Sequence, residues 1–272
     1  MARKPAMAGR FYPAEPDELT SFIERHTPRI EGKENVLGAL IPHAGYDFSG
    51  PTAAAVFARI VVPQAVVLLN PSHNFHSPPC ALWTGGSWQT PLGDVRQHDE
   101  LTAALARLPV VTSDNNPHRP EHSGEVVLPF VQYHRPDVRI AVVCITASAG
   151  MQQLRDLGEG IAEALKQCNE PGALVIASSD MSHEDGPTAL KAVQSQDPFA
   201  IEQMKRLDPE GLVRVCREKE ITMCGYMPAA AMMVSVRARG GKEGELIARA
   251  TSADSPFGRG NYVVGYAGMV FR

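Results

Sequence analysis

The chain has 272 residues, a formal net charge of −4 and 44% hydrophobic residues. That composition supports a sizeable core, has none of the dense basic runs expected of a nucleic-acid binder, and contains no stretch near the ~18 apolar residues of a membrane span. The N-terminal Met1-Ala-Arg-Lys carries charge but no apolar segment after it, and the five cysteines show no CxxC spacing, so a cytoplasmic chain without a disulfide framework or zinc knuckle is expected.

In chain order, Ala8-Gly-Arg-Phe-Tyr-Pro13 reads as a segment docked over the core. Leu19, Phe22 and Ile23 have the spacing of a helix over 17–26. The apolar run 36–41 ends at Pro42 and delivers His43 onto a Gly-containing turn. Tyr46 and Asp47 follow, then a small-residue helix over 52–60 that Ser49-Gly50-Pro51 should start. A second apolar strand, 65–69, opens onto Asn70-Pro-Ser-His73. Residues 88–94 read as a hairpin, 99–108 as a helix, and 112–122 as a polar loop. Helical periodicity resumes over 123–134, although Pro129 interrupts it. A third strand over 138–145 and a helix over 151–167 come next. The strand that opens at Ala173 leads through Ser178-Ser-Asp-Met-Ser-His183 to another histidine. Helices are expected over 188–206, 209–219 and 226–239, and strands over 245–253 and 262–271. This alternation predicts an α/β sandwich around a mostly parallel, mixed sheet, with residues 1–272 forming a single domain.

Three apolar strands therefore end in histidine-bearing loops, at the edge where open α/β sheets collect ligands. Of nine histidines, His26, His98 and His134 sit in helical or turn contexts that suit capping or solvation, and His76 and His118 lie in polar loops. His43 and His73 each follow a buried strand directly, which is how rigid metal ligands are held. Cys224, just before a predicted helix whose dipole would lower its thiol pKa, is the natural third ligand. Two imidazoles and a thiolate suit iron, copper or zinc. His183, oriented by Asp180, is the candidate acid/base pair. His122 and Glu125 could line the same pocket, and Tyr46 and Asp47 could contact substrate. No GxSxG, P-loop or GxGxxG motif competes with this reading.

The blocks Ala8-Gly-Arg-Phe-Tyr-Pro13, Ile41-Pro-His-Ala-Gly-Tyr46, Asn70-Pro-Ser-His73, His122-Ser-Gly-Glu125, Ser178-Ser-Asp-Met-Ser-His183 and Met223-Cys-Gly225, in this order, resemble the signatures of the Memo family. Its prokaryotic members are called AmmeMemoRadiSam system protein B. The resemblance implies a fold similar to class III extradiol (LigB-like) dioxygenases. It also implies a metal pocket of His43, His73 and Cys224, with His122, Asp180 and His183 beside it. Cys224 stands where the dioxygenases have a carboxylate, and Pro256 and Phe257 depart from the family's Ser/Gly-rich loop. The implied activity is a dioxygenase-like, metal-dependent oxidoreductase, with iron the first expectation, copper the next and zinc a further option. The alternatives are a peptide- or partner-binding module working with a radical SAM enzyme and an AMMECR-like protein, and a metal-dependent hydrolase.

Overall fold

The computed structural model describes residues 2–272. Its elements in chain order begin with α1 (Pro16–His26), β1 (Gly38–Ile41), α2 (Tyr46–Arg59), β2 (Ala65–Pro71), β3 (Cys80–Leu82), β4 (Trp88–Thr90), β5 (Gly93–Gln97) and α3 (Asp99–Leu105). There follow β6 (Thr112–Ser113), α4 (Leu128–His134), β7 (Arg139–Ile145), α5 (Met151–Gln167), β8 (Leu174–Ser178) and β9 (His183–Asp185). The chain ends with α6 (Ala189–Lys205), α7 (Pro209–Glu218), α8 (Tyr226–Ala238), β10 (Gly244–Thr251), a 3₁₀ turn at Ser252–Asp254 and β11 (Tyr262–Phe271). Among the described residues no helix is long and apolar enough to cross a membrane.

One mixed sheet runs in the order β10-β11-β1-β8-β2-β7-β3-β6. Its centre, β1-β8-β2-β7, is parallel throughout, while β11 joins β1 antiparallel. The unbroken apolar runs of β1, β2 and β8 reflect burial on both faces. Along β2, Ala65, Val67 and Leu69 point into the core beneath α3, α5, α7 and α8. Val66 and Leu68 point the other way, into the core with α1, α2 and α4. This is the α/β sandwich around a mixed sheet that the sequence predicts. It also has the consequence that matters for function. Because β8 lies between β1 and β2, the loops after all three open side by side at one edge.

Two helix boundaries differ from the sequence expectation. α2 begins at Tyr46, so Pro51 lies inside the helix rather than at its start. Pro51 has no N–H to offer the carbonyl of Asp47, and the Ser255 hydroxyl donates to that carbonyl instead, at 2.8 Å. α4 begins only at Leu128, with Pro129 in its first turn, where a missing N–H costs nothing. Residues 123–127 form turns, not helix.

Helix α5 packs on α8 at Gly158, where an added Cβ would strike Val234 and the carbonyl of Ala231. Helix propensity alone favours alanine over glycine by about 1 kcal/mol, but overpacking of this kind costs about 1–3 kcal/mol. Gly158→Ala is therefore expected to lower stability in urea denaturation by up to about 2 kcal/mol. A Cβ at Gly172 meets nothing within 4 Å, so Gly172→Ala should leave the midpoint almost unchanged.

Candidate metal centre

The loops after β1 and β2 bring two histidines together. His43 is buried, and its ring centroid lies 5.5 Å from that of His73. His122, from the turns before α4, stacks on His73 at 4.7 Å. One ring nitrogen from each of the three lies within 4.8 Å of the others. The Cys224 sulfur stands 3.3 Å from His43 Nε2. The structure thus brings His43, His73 and His122 together, with the Cys224 sulfur beside His43, and His122, expected to line the pocket, joins the cluster as a third imidazole.

Hydrogen bonds fix the tautomers. Ser178 Oγ donates to the Ser123 carbonyl at 2.6 Å, so its contact of 2.7 Å with His43 Nδ1 must be accepted from that ring. His43 therefore carries its proton on Nδ1 and turns a lone pair at Nε2 towards Cys224. His73 Nδ1 donates to Glu121 Oε1 at 2.8 Å, which frees Nε2 in the same sense. A histidine whose outer nitrogen donates to a carboxylate or hydroxyl is the usual form of a metal ligand.

Glu121, which sequence reasoning missed, organises much of this arrangement. Its buried carboxylate accepts from the backbone N–H of His73, His122 and Ser123 and from the Ser123 hydroxyl. Burial works against its charge, but the hydrogen bond and charge of His73 outweigh it and hold the acid well below the usual range. Burial likewise disfavours a charged His73, but Glu121 wins and raises its pKa. His43 goes the other way, lowered by burial first and then by the charges of His122 and His73. Burial also lowers His122. The donor set thus offers His43 and His122 in the neutral form a metal requires. The acid directly before a histidine in Pro120-Glu121-His122 was the available signal for Glu121.

Several expected roles need correction. Burial, then the charge of Asp180, pushes the Cys224 thiol well up, against the expected lowering by the α8 dipole. The Asp180 N–H, 3.3 Å from the sulfur, opposes that shift without reversing it. Gly225 must follow Cys224, because a Cβ there would collide with the Ser178 carbonyl and the Ser179 side chain. Asp180 does not orient His183. Its Oδ1 accepts the backbone N–H groups of His43 and Ala44, at 2.7 and 3.2 Å. The His183 ring is set instead by Nδ1–H donation to the Thr222 carbonyl at 3.2 Å. Tyr46 is a core residue whose hydroxyl donates to the Val126 carbonyl. Asp47 is exposed and lines a neighbouring groove. Glu125 is committed to Arg3, Tyr12 and two backbone N–H groups. None of these three lines the cavity beside the imidazoles. His98 has a structural partner, its ring accepting from Leu101 N at the start of α3.

That cavity measures about 410 Å³. Phe11, Phe48, Phe257, Tyr262 and Tyr266 wall it with aromatic surface, and it reaches His122, Asp180 and His183. Arg259 contributes a cation to its lining.

The His73–Glu121 pair gives a signed pH dependence. The raised pKa of His73 contributes stability below its ordinary value of about 6.5, and this is lost as pH climbs through the folded value. The lowered pKa of Glu121 contributes stability above its ordinary value of about 4.3, and this is lost as pH falls. Glu121→Gln in metal-free protein is therefore expected to cost most stability between about pH 4.3 and 6.5, with a smaller difference on either side in urea melts. The same change should weaken Co(II) binding roughly 10–100-fold by titration.

Residues 3–270 match the family described as Memo-like protein. The chain is 40% identical over 287 residues to the MEMO1 family protein MK0963 of Methanopyrus kandleri, covering 100% of this chain and 99% of that one. It is 36% identical over 272 residues to the MEMO1 family protein of Aquifex aeolicus, covering 99% and 98%. In fold it resembles the crystal structure of uncharacterized protein JW3007 from Escherichia coli K12, at 14% identity and a TM-score of 0.54, over 86% of this chain and 99% of that one. With a match along nearly its whole length and relatives at this identity, the chain belongs to the Memo family.

Proposed function

We propose that this Memo-family protein is a metal-dependent oxidoreductase of dioxygenase-like type acting on a small molecule. The observation that carries the reading is the meeting of three imidazoles, with a thiol beside His43, next to an aromatic-lined cavity that His122 helps to line. His43 and His73 would hold the ion with Cys224, and His122 stands ready as a further imidazole. Iron is the first choice for two or three imidazoles with one soft thiolate, copper the second, and zinc also fits the donors. When bound, such an ion supplies an open coordination position for an oxygen or substrate atom and a site for electron exchange.

The chain's own groups provide the rest. Aromatic walls exclude water and seat an apolar ring or chain. His183, with Nδ1–H fixed on Thr222, offers Nε2 to accept a proton within the cavity. Asp180 ties the backbone of the His43 loop to the end of β8 and keeps two strand ends in step. Cytoplasmic conditions suit the five cysteines, all free. A second reading, recognition of a peptide or partner protein without turnover, draws on two exposed aromatics at the cavity, Phe257 at 62% and Tyr262 at 50% exposure. Such side chains are enriched where proteins meet. The partners this reading would engage are a radical SAM enzyme and an AMMECR-like protein.

Metal analysis of protein purified anaerobically under reducing conditions tests the proposal. Near-stoichiometric iron or copper is expected, falling at least tenfold in His43→Ala and sharply in Cys224→Ser, with the fold retained by circular dichroism. Oxygen uptake with catechol-like compounds should then follow the metal content, and His183→Ala should suppress uptake while leaving the metal in place. Zinc in the native protein would move the function to hydrolysis. Full metal occupancy in His43→Ala would remove the site altogether.

A further inference from the structure

Arg3 is 2% exposed and belongs to no regular element. Its guanidinium grips a single distant segment at three points. Nε donates to the His118 carbonyl at 2.7 Å, Nη2 to the Glu121 carbonyl at 2.5 Å, and Nη1 to Glu125 Oε2 at 2.7 Å. The Trp88 ring covers the guanidinium, 4.2 Å from Cζ to centroid. The segment 118–125 contains no helix or strand, so no internal ladder sets its curvature. A planar cation with donors at fixed angles can do so, because its acceptors must lie where the fork points.

Each imidazole is tied to what Arg3 holds. His122 lies within the segment. The Glu121 carboxylate accepts from His73 at both the backbone N–H and Nδ1. The Ser123 carbonyl accepts from Ser178 Oγ, which in turn takes the Nδ1–H of His43. The chain around Arg3 closes the arrangement from the other side. Ala6 N, Met7 N and the Tyr12 hydroxyl all donate to Glu125, and Phe11 meets the His122 ring edge-on at 5.0 Å. The carbonyl of Phe11 also accepts from Tyr46 N in the first turn of α2.

We propose that Arg3 is a positioning residue for the imidazole cluster: its guanidinium is the template on which residues 118–125 fold, and through Glu121 and Ser123 it fixes the rings of His122, His73 and His43. The inference rests on the metal-site reading for its purpose, while its geometry is a property of the protein itself. A buried ammonium in place of the guanidinium keeps the charge opposite Glu125 but cannot reach three acceptors in one plane. Charge alone is therefore not enough.

The test uses the full chain as wild type, Arg3→Lys, Arg3→Met and a stability control, Leu157→Ala, in the core beneath α5 on the other face of the sheet from Tyr12, Val126 and Val127. Imidazole ¹H–¹⁵N spectra of metal-free protein read the Nδ1–H protons of His43 and His73, and Co(II) absorption titrations read affinity and ligand field. Both Arg3 variants should shift or lose the two Nδ1–H signals and weaken Co(II) binding at least tenfold, with altered ligand-field bands. Leu157→Ala should keep both, even at an equal loss of melting temperature. Arg3→Lys decides the matter should Arg3→Met not fold. Unchanged Nδ1–H signals in a folded Arg3→Lys, or their equal loss in the control, would overturn the proposal and leave Arg3 as a stability staple. Absence of Co(II) binding in the wild type would count against the metal-site reading alone, because the proton signals still decide the role of Arg3.

Discussion

Parallel strands present their carboxyl ends to one edge of a sheet, and the position of β8 between β1 and β2 uses that edge in full. The register pairs Ile41 with Ser178 and Leu69 with Ala177, so the chain leaves all three strands at the same level. His43, Ser178 and His73 can meet only because of this. Had β8 paired elsewhere, the Ser178 hydroxyl would not stand between His43 and the Ser123 carbonyl, and nothing would choose the His43 tautomer. Strand order is thus the first condition of the histidine cluster. It is met by burial of apolar residues on both faces of the sheet, far from the polar groups it positions.

Buried carboxylates are the second condition. Glu121, Glu125 and Asp180 are all nearly inaccessible, and isolated charges there would be strongly disfavoured. Each is instead surrounded by donors, backbone N–H groups among them, and each links two segments distant in sequence. Glu125 joins the N-terminal segment to the turns before α4. Glu121 joins those turns to the loop after β2, and Asp180 joins the ends of β1 and β8. Carboxylates so satisfied rigidify irregular chain where no ladder of backbone hydrogen bonds exists. The loops that carry the histidines are held by groups as fixed as those of the sheet.

This division explains what the sequence reveals. Helix α5 spans Met151–Gln167, the range its amphipathic period predicts, and the buried strands are visible as unbroken apolar runs. Local signals failed where a distant group compensates for a local defect. Pro51 reads as a helix start because nothing nearby shows that Ser255 will take up the freed carbonyl of Asp47. The histidines at strand ends were legible, since position after a buried strand is a local property. Their orienting partners were not. Glu121 acts on a residue 48 positions away, and Arg3 acts on one 115 away. Asp180 and His183, three apart, invited pairing by proximity in sequence, but the backbone turns their side chains to different partners.

The thiol adds a final constraint on what the site can hold. Burial and the nearby charge of Asp180 keep Cys224 protonated at neutral pH, and a protonated thiol is a poor nucleophile that oxidises slowly. A divalent cation beside the imidazoles would reverse that balance, because its charge outweighs a single carboxylate at bonding distance and takes the thiolate as ligand. The Asp180 N–H already points at the sulfur and would stabilise the anion once formed. Occupancy and thiol ionisation are then coupled, and affinity must rise with pH as the proton becomes easier to remove. Hard cations gain little from a sulfur ligand, so in the proposed centre Cys224 would favour the softer transition metals.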